Sequence, residues 1–202
     1  MLVMHYTGMK TAQAALERLC DLTAKVSAHY VIDEDGTVIS LVDESKRAWH
    51  AGVAYWRGET DINARSIGIE LVNPGHEFGY RDFTDFQMAA LETLALDILS
   101  RHPIPARNVV GHSDVAPARK TDPGERFDWR RLAAAGIGLW PQEEQGDVEK
   151  VPEMLATFGY DPGDPDEALI AFQRHFCPES LGNPADGALA GRLGALLDLC
   201  NT

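Results

Sequence analysis

The most informative stretch of this chain is Gly111-His112-Ser113-Asp114-Val115-Ala116-Pro117-Ala118-Arg119-Lys120-Thr121-Asp122-Pro123-Gly124. It carries His112, Lys120 and Asp122 on a loop whose glycine and proline residues restrict the backbone, so these side chains are expected to converge. A second histidine, His5, follows the apolar run at residues 1–4. Two imidazoles and one carboxylate are the protein ligands of an open, catalytic zinc site. The residues alone leave a second interpretation open, an exposed histidine–aspartate pair in a proline-rich loop.

Further blocks with chemically suggestive residues precede this loop. In chain order they are Met4–Thr7, Ser27–Ile32, Ala48–Gly52 and Ser66–Leu71, and Phe127–Trp129 follows the loop. Their identity and order resemble the zinc-dependent N-acetylmuramoyl-L-alanine amidases of the AmpD/AmiD type, the type 2 amidase family. The resemblance covers nearly all of residues 1–130. It implies an α/β fold with a central mixed β-sheet flanked by helices, and zinc (Zn²⁺) as the cofactor, bound by His5, His112 and Asp122.

The same resemblance implies a reaction and its catalytic residues. The reaction is hydrolysis of the amide between N-acetylmuramic acid, or its anhydro form, and L-alanine of the stem peptide, in peptidoglycan recycling or turnover. Glu70 would act as general base and Lys120 would stabilise the oxyanion. Strand alternation alone would place a mid-strand carboxylate such as Glu70 in solvent. The expected substrate contacts are Trp49, His50, Asn63, Arg65 and Arg119.

Other histidines and one alternative function must be weighed beside this assignment. His50 could contact substrate or support the site, and His29 could be an interior histidine or orient a zinc ligand. For His175 the sequence indicates no partner. The alternative function is a non-catalytic protein that recognises muropeptides, and the discriminating feature is that this chain keeps all three ligands together with Glu70 and Lys120.

Composition limits the classes of partner. The formal net charge of −13 argues against nucleic acid, because a phosphate-binding protein must supply lysine and arginine. No apolar run reaches the roughly 18 residues needed for a membrane span. We therefore expect no nucleic-acid or membrane partner. The family resemblance implies binding to peptidoglycan fragments (muropeptides, including anhydro-muropeptides) or to intact peptidoglycan, and we expect a monomer. The apparent absence of a signal segment favours the cytoplasm, and a missing N-terminal segment would instead favour the periplasm or cell envelope.

Hydrophobic periodicity predicts the elements that carry these residues. Strands are expected at Leu2–Tyr6, Ile67–Val72 and Val109–Val110, with a hairpin formed by 28–32 and 37–42. Helices are expected at Thr11–Cys20, with Cys20 buried, and at 84–101, with Thr84 as cap and Met88, Leu91, Ala95 and Ile98 on the apolar face.

The last sixty residues differ in character. Residues 141–202 hold 3 basic and 12 acidic side chains, so −9 of the total charge lies there. Helices are predicted at 151–158, 166–176 and 188–199, and this pattern resembles the three-helix peptidoglycan-binding domain of many wall hydrolases. We predict a catalytic domain at 1–140 and a small helical domain at 147–202, with a boundary near 141–147. The alternative is a helical cap that completes the core.

Overall fold

A five-stranded mixed β-sheet forms the centre of the molecule. The computed structural model describes residues 1–142 and 144–200. The strands are β1 (Leu2–Tyr6), β2 (Tyr30–Ile32), β3 (Val38–Ser40), β4 (Ile67–Leu71) and β5 (Val109–Gly111), arranged in the order β3-β2-β4-β1-β5. β1 is parallel to both β4 and β5, β2 is parallel to β4, and only the β2–β3 pair is antiparallel. The predicted mixed sheet is thereby confirmed.

Eight α-helices surround this sheet in the described residues. They are α1 (Ala12–Cys20), α2 (Gly75–Phe78), α3 (Asp85–Arg101), α4 (His112–Val115), α5 (Trp129–Ala134), α6 (Val151–Phe158), α7 (Pro165–Phe176) and α8 (Gly187–Leu199). The five longer helices agree with the predicted ranges to within a residue at each end. The sequence analysis missed α2, α4 and α5, because helices of four to six residues are too short to show a helical period.

The longest helix, α3, begins and packs as predicted. The Thr84 side chain accepts a hydrogen bond from the Gln87 backbone, and the Gln87 side chain accepts one from Thr84 in return. Such a capping box satisfies two helix-terminal N–H groups that otherwise lack partners. Four apolar residues of this helix are buried in the core, Met88, Leu91, Ala95 and Ile98.

The prediction for Cys20 was wrong. The helix itself is present, with Thr11 as its N-cap, but Ala15 is its buried residue and Cys20 is exposed. Five residues at about 100° per residue place Cys20 roughly 140° around the helix from Ala15, well away from the buried side. All three cysteines of the chain are free thiols.

Alternation along the strands divides the core into two faces of the sheet. Leu2 and Met4 of β1 belong to a hydrophobic cluster with α3 and α5 on one face. Val3 belongs to the cluster on the other face, and His5 must share that face because side chains alternate along a strand. By the same rule, Gly68 and Glu70 of β4 lie opposite Ile67, Ile69 and Leu71, which pack in the first cluster.

The C-terminal helices pack on the face that carries His5. Their apolar residues share one continuous cluster with Val3, Val110 and Val115. The Trp56 ring meets Phe158 and Tyr160 edge-on, with centroid distances of 5.7 and 5.2 Å. The division into domains at 1–140 and 147–202 stays a prediction.

The junction before these helices is closely packed. Gly146 donates a backbone hydrogen bond to the Gly187 carbonyl at 2.8 Å. A Cβ atom at Gly191 would lie only 2.1 Å from the Glu144 carbonyl oxygen, so glycine is required where the chain crosses α8. Glu143, within the predicted boundary, lies outside the described residues.

None of the helices in the described part of the chain has the length and apolar character needed to cross a bilayer.

A cluster around Glu44 ties the sheet edge to the end of α3 and generates a prediction about pH. Tyr30 and Arg101 donate to its Oε1, each at 2.6 Å, and His102 Nε2 lies 2.7 Å from Oε2. Burial raises the pKa of Glu44, but the hydrogen bonds from Arg101, Tyr30 and His102 outweigh this and lower the pKa from 4.5 to about 2.

Glu44→Gln should therefore lower the free energy of unfolding at pH 7 by about 1 kcal/mol, a modest value because solvent screens a carboxylate this close to the surface. A depressed carboxylate pKa stabilises the fold above the unfolded value, and this contribution is lost as the pH falls from 4.5 towards 2. Denaturant unfolding of both proteins across this range should show the difference shrinking. Glu34→Gln, which removes an exposed ion pair with Arg81, is the control. A difference that stays constant down to pH 2 would contradict the assignment.

Candidate active site

The site lies at the carboxyl ends of three adjacent parallel strands, β4, β1 and β5. In the sheet register His5 is paired with Glu70 of β4, and Met4 is paired with Gly111 of β5. His112 follows directly as the first residue of α4. Parallel strands end at the same edge of a sheet, so three residues far apart in sequence reach one place without a special loop.

Three donor atoms converge there from His5, His112 and Asp122, and all three side chains are buried. His5 Nδ1 lies 3.0 Å from His112 Nδ1 and 2.9 Å from Asp122 Oδ2. His112 Nδ1 lies 3.1 Å from the same Asp122 oxygen. The sequence analysis named these three residues, and the structure brings them together.

The second ring nitrogen of His112 fixes its tautomer. His112 Nε2 lies 3.0 Å from the Ala51 carbonyl oxygen. A carbonyl only accepts hydrogen bonds, so Nε2 carries the hydrogen. In the neutral ring Nδ1 is then unprotonated and directs its lone pair towards Asp122 and His5.

A chain of hydrogen bonds fixes the tautomer of His5 as well. The Ser66 hydroxyl donates to the Ile62 carbonyl at 2.6 Å, so it must accept from His50 Nε2, 3.1 Å away. His50 is left with an unprotonated Nδ1, which accepts from His5 Nε2 at 3.0 Å. His5 Nδ1 therefore also presents a lone pair to the site.

Protonation states in the site agree with this pattern. Burial lowers the pKa of His5 to about 4, with the neighbouring His112 also lowering it and Asp122 opposing the shift. Burial by itself raises the pKa of Asp122, but His112 and His5 together hold that pKa well below its ordinary value. The imidazole is neutral and the carboxylate ionised at pH 7, which are the forms that bind metals.

With both imidazoles in their neutral forms, three hydrogen-bond acceptors thus meet within 3.1 Å. Such an arrangement is repulsive unless a cation lies among the acceptors, so the residues fit a metal ion. Two imidazole nitrogens and one carboxylate oxygen are a donor set typical of catalytic zinc, with a further position open to the cleft.

The loop from residue 111 to 124 holds its two ligands together by backbone contacts. The Ser113 N–H donates to the Asp122 carbonyl at 2.8 Å. Gly111 makes room for this approach, because a Cβ atom there would lie 2.7 Å from Pro123 Cδ. Thr121 is fixed from the opposite side by the Tyr6 hydroxyl at 2.9 Å.

Glu70 lies beside these ligands with an unsatisfied oxygen. Its Oε2 is buried and has no hydrogen-bond partner within the described residues. Burial raises the pKa of Glu70 well above its ordinary value, and the negative charge of Asp122 adds to this, while Lys120 opposes it. A partly buried carboxylate with an unpartnered oxygen and a raised pKa is suited to exchange a proton with a bound molecule.

An open cleft of about 570 Å³ leads to this site. Its walls include Glu70, Lys120, Asp122, Trp49 and Arg119. Trp49 is half exposed, so its indole face is available to a ligand. The net-acidic chain presents basic side chains along the adjoining depression, which is lined by Lys25, Arg47, Arg119 and Lys120.

The remaining predicted substrate contacts occupy different positions. Asn63 Oδ1 accepts from the backbone N–H groups of His50 and Ala51, so it holds the segment that supports the ligands. The Arg119 guanidinium donates to the carbonyls of Ala51 and Val53. The structure does not bring Arg65 to the cleft; it lies in another depression with Met1 and pairs with Glu59 at 2.7 Å.

His29 and His50, for each of which the sequence left two roles open, occupy different environments. His29 accepts from the Gly68 N–H and lies 3.1 Å from the Lys46 carbonyl, so both its nitrogens bind backbone groups. It is an interior histidine. His50 bonds directly to His5 and is buried, so it supports a ligand. A contact between His50 and substrate stays a prediction.

Sequence reasoning missed several residues on which the site depends. Ser66 ends the hydrogen-bond chain, and Gly68 leaves space for the His50 ring. His175 has a partner after all, because its Nδ1 lies 2.7 Å from Asp114 Oδ2. The glycine in the middle of a strand was a usable signal, since such a residue often marks a close approach. The partner of His175 is 61 residues away, and no local pattern indicates it.

Comparison with known proteins agrees with this geometry. Residues 1–125 match the family described as N-acetylmuramoyl-L-alanine amidase. The chain is 37% identical to the N-acetylmuramoyl-L-alanine amidase AmiD of Escherichia coli, over 98% of this chain and 82% of that protein. It is 43% identical to the 1,6-anhydro-N-acetylmuramyl-L-alanine amidase AmpD of Citrobacter freundii over 54% of this chain, a match that spans 57% of AmpD.

A solved structure is similar over almost the whole fold. The complex of AmiD from E. coli with the substrate anhydro-N-acetylmuramic acid-L-Ala-D-γ-Glu-L-Lys has a TM-score of 0.88 and 36% identity, and the match covers 98% of this chain and 88% of that one. The fold and the cleft are those of a hydrolase with a candidate metal site. The chain belongs to the N-acetylmuramoyl-L-alanine amidase family.

Gly68→Ala should disrupt the site through His50. A Cβ atom at Gly68 would lie 2.5 Å from His50 Cγ, so the ring that supports His5 must move. We expect a loss of roughly 1–3 kcal/mol of stability, as for overpacked cores, together with weaker metal binding. Thermal unfolding and metal titration would measure the two effects.

The matched control is Gly194→Ala in α8, where an added Cβ meets nothing within 4 Å. Alanine in a helix interior stabilises by roughly 0.5–1 kcal/mol relative to glycine. If both variants changed stability and metal binding equally, the space that Gly68 leaves for the His50 ring would be irrelevant to the site.

Proposed function

We propose that this chain is a zinc-dependent amidase that cleaves the bond between N-acetylmuramic acid, or its anhydro form, and L-alanine of the stem peptide. The observation that carries the proposal is the convergence of three potential ligand atoms, from His5, His112 and Asp122, in an open cleft beside Glu70, whose Oε2 is buried and unpartnered among the described residues. The family membership and the substrate in the AmiD complex supply the chemical class of the ligand.

His5, His112 and Asp122 would hold the zinc ion. Zinc bound there would act as a Lewis acid that activates water and polarises the scissile carbonyl. The chain contributes the geometry: Ala51 and His50 orient the two imidazoles, so little reorganisation is needed on binding.

Glu70 is the proposed general base. Its buried Oε2 is available to take a proton from the attacking water, and the protonated carboxyl can return that proton to the leaving amine. Burial raises the pKa of Glu70, and a more basic carboxylate accepts a proton from water more readily.

Lys120 is the proposed stabiliser of developing negative charge. It lines both depressions of the cleft, next to His112 and Trp49. As the carbonyl carbon becomes tetrahedral, negative charge develops on its oxygen. An ammonium group positioned there stabilises this charge more strongly than it stabilises the neutral carbonyl of the ground state.

The basic wall of the cleft suits the carboxylates of a stem peptide. Lys25, Arg47 and Arg119 line the depression beside the site. Trp49 offers an apolar face for the sugar or the lactyl group. Asn63 would act indirectly, by holding the backbone of His50, and Arg65 would need an extended substrate to reach it.

The compartment that we propose is the cytoplasm, in a recycling role. The three free thiols support this, since disulfides are rare in reducing compartments. Purified protein assayed on soluble anhydro-muropeptides and on intact sacculi would separate recycling from turnover of the wall.

Metal content gives the first test of this function. The protein should bind about one zinc per chain, and chelation should abolish amide hydrolysis. His112→Ala should lose the metal, measured by elemental analysis after gel filtration, whereas His102→Gln, away from the cleft, should retain it. Full zinc content and full activity in His112→Ala would overturn the ligand assignment.

The roles of Glu70 and Lys120 give the second test. Glu70→Gln should keep its zinc and lower kcat by about 10²–10⁴-fold, since general-base catalysis is typically worth that much. Lys120→Met should keep its zinc and lower kcat more than it raises KM, because its contact strengthens in the transition state. Glu17→Gln and Lys46→Met, both exposed, are the matched controls. Unchanged turnover would remove the tested residue from the mechanism.

A further inference from the structure

Asp114 is a buried carboxylate that the proposed reaction does not use. It is 1% exposed and lies on α4, two residues after His112. Its Oδ2 accepts from the Gly111 N–H and from His175 Nδ1, and its Oδ1 accepts from the Tyr160 hydroxyl, each at 2.7 Å. Two of its three donors therefore come from the C-terminal helical segment, 147–202.

These donors are themselves fixed by packing. The His175 ring stacks on Trp129 with a centroid distance of 3.8 Å and an interplanar angle of 19°. The Tyr160 ring meets Trp56 edge-on, and both side chains are almost fully buried. Aromatic contacts of this kind restrict the rings, so the two donor atoms have little freedom to leave Asp114.

The helix that carries His112, α4, depends on these hydrogen bonds from the C-terminal segment. α4 has only four residues, which is too short to be stable by its own hydrogen bonds. A buried carboxylate is costly unless donors satisfy it, and the Gly111 N–H alone would leave Asp114 underpaired. Without Tyr160 and His175, α4 would be expected to shift until Asp114 reached water, and His112 would move with it.

We propose that Asp114, Tyr160 and His175 form a positioning clamp through which the C-terminal helical segment holds His112 in its metal-binding position. The segment is thus part of the metal site, whether or not it also binds wall polymer. This inference rests on the proposed function, because it assumes that His112 binds zinc. Tyr160 and His175 are positioning residues and do not touch the substrate.

The test uses the full chain and variants that remove one donor at a time. Tyr160→Phe removes a single oxygen atom, and His175→Phe keeps a ring on Trp129 but removes the Nδ1 donor. His175→Asn loses the ring but places an amide nitrogen near the former Nδ1. The control is Arg107→Met, which removes hydrogen bonds from Arg107 to the Thr157 and Phe158 carbonyls across the same interface, away from His112.

The readouts are the zinc dissociation constant, from competition with a chromophoric chelator, and the visible absorption of the cobalt-substituted protein, which reports ligand geometry. Tyr160→Phe and His175→Phe should each raise the dissociation constant roughly 10-fold or more, the range for groups that orient metal ligands, and alter the cobalt spectrum. Arg107→Met should lower Tm but leave both readouts unchanged. His175→Asn should recover most of the affinity.

Each outcome bears on one idea. Clamp variants that bind zinc as tightly as the parent, with the same cobalt spectrum, would overturn the clamp, as would an equal loss in Arg107→Met. If His175→Phe does not fold, Tyr160→Phe decides the question. A parent protein that binds no zinc would instead defeat the proposed function, so the two failures are distinguishable.

Discussion

The parallel pairing of β1 with both β4 and β5 is the constraint on which the rest of the structure depends. A strand with a neighbour on each side has its position along the strand axis fixed by two sets of backbone hydrogen bonds. His5, Glu70 and the start of α4 are therefore placed side by side by backbone hydrogen bonds before any side chain interacts. A slip of one residue in either pairing would turn His5 to the face covered by α3, since side chains alternate.

The side-chain chemistry then follows from hydrogen bonds to groups that can only accept. The Ala51 and Ile62 carbonyls determine, directly or through Ser66 and His50, which nitrogens carry hydrogen. The consequence is a cluster of acceptors that repel one another in the absence of a cation. Folding creates this repulsion and a bound cation would remove it, so the proposed metal binding would be linked to the stability of the fold.

Much of this organisation could be predicted from the sequence, for identifiable reasons. The helix from Asp85 to Arg101 carries its own cap and periodicity, and the ligands on residues 111–124 lie in a dense local pattern. The burial of Cys20 was misjudged because nine residues give a poor estimate of which helix side faces the core. The partnership of Asp114 with Tyr160 and His175 could not be predicted, since it depends on how two distant segments pack. Arg65 was predicted to contact substrate because a guanidinium binds carboxylates well, but its side chain lies in another depression.

The packed junction at Gly146 has a practical consequence for anyone who wishes to modify the protein. In the sequence, residues 141–147 have the polar, proline- and glycine-containing character of a permissive linker, where a reporter domain or a longer spacer would ordinarily be inserted. The backbone there lies against α8 at distances that only glycine at positions 146 and 191 allows. An insertion would displace α8 from the surface on which it packs and expose the apolar side chains beneath it. Insertions are better placed in the exposed stretch at residues 58–60, where a Cβ atom added at Gly58 would meet nothing within 4 Å.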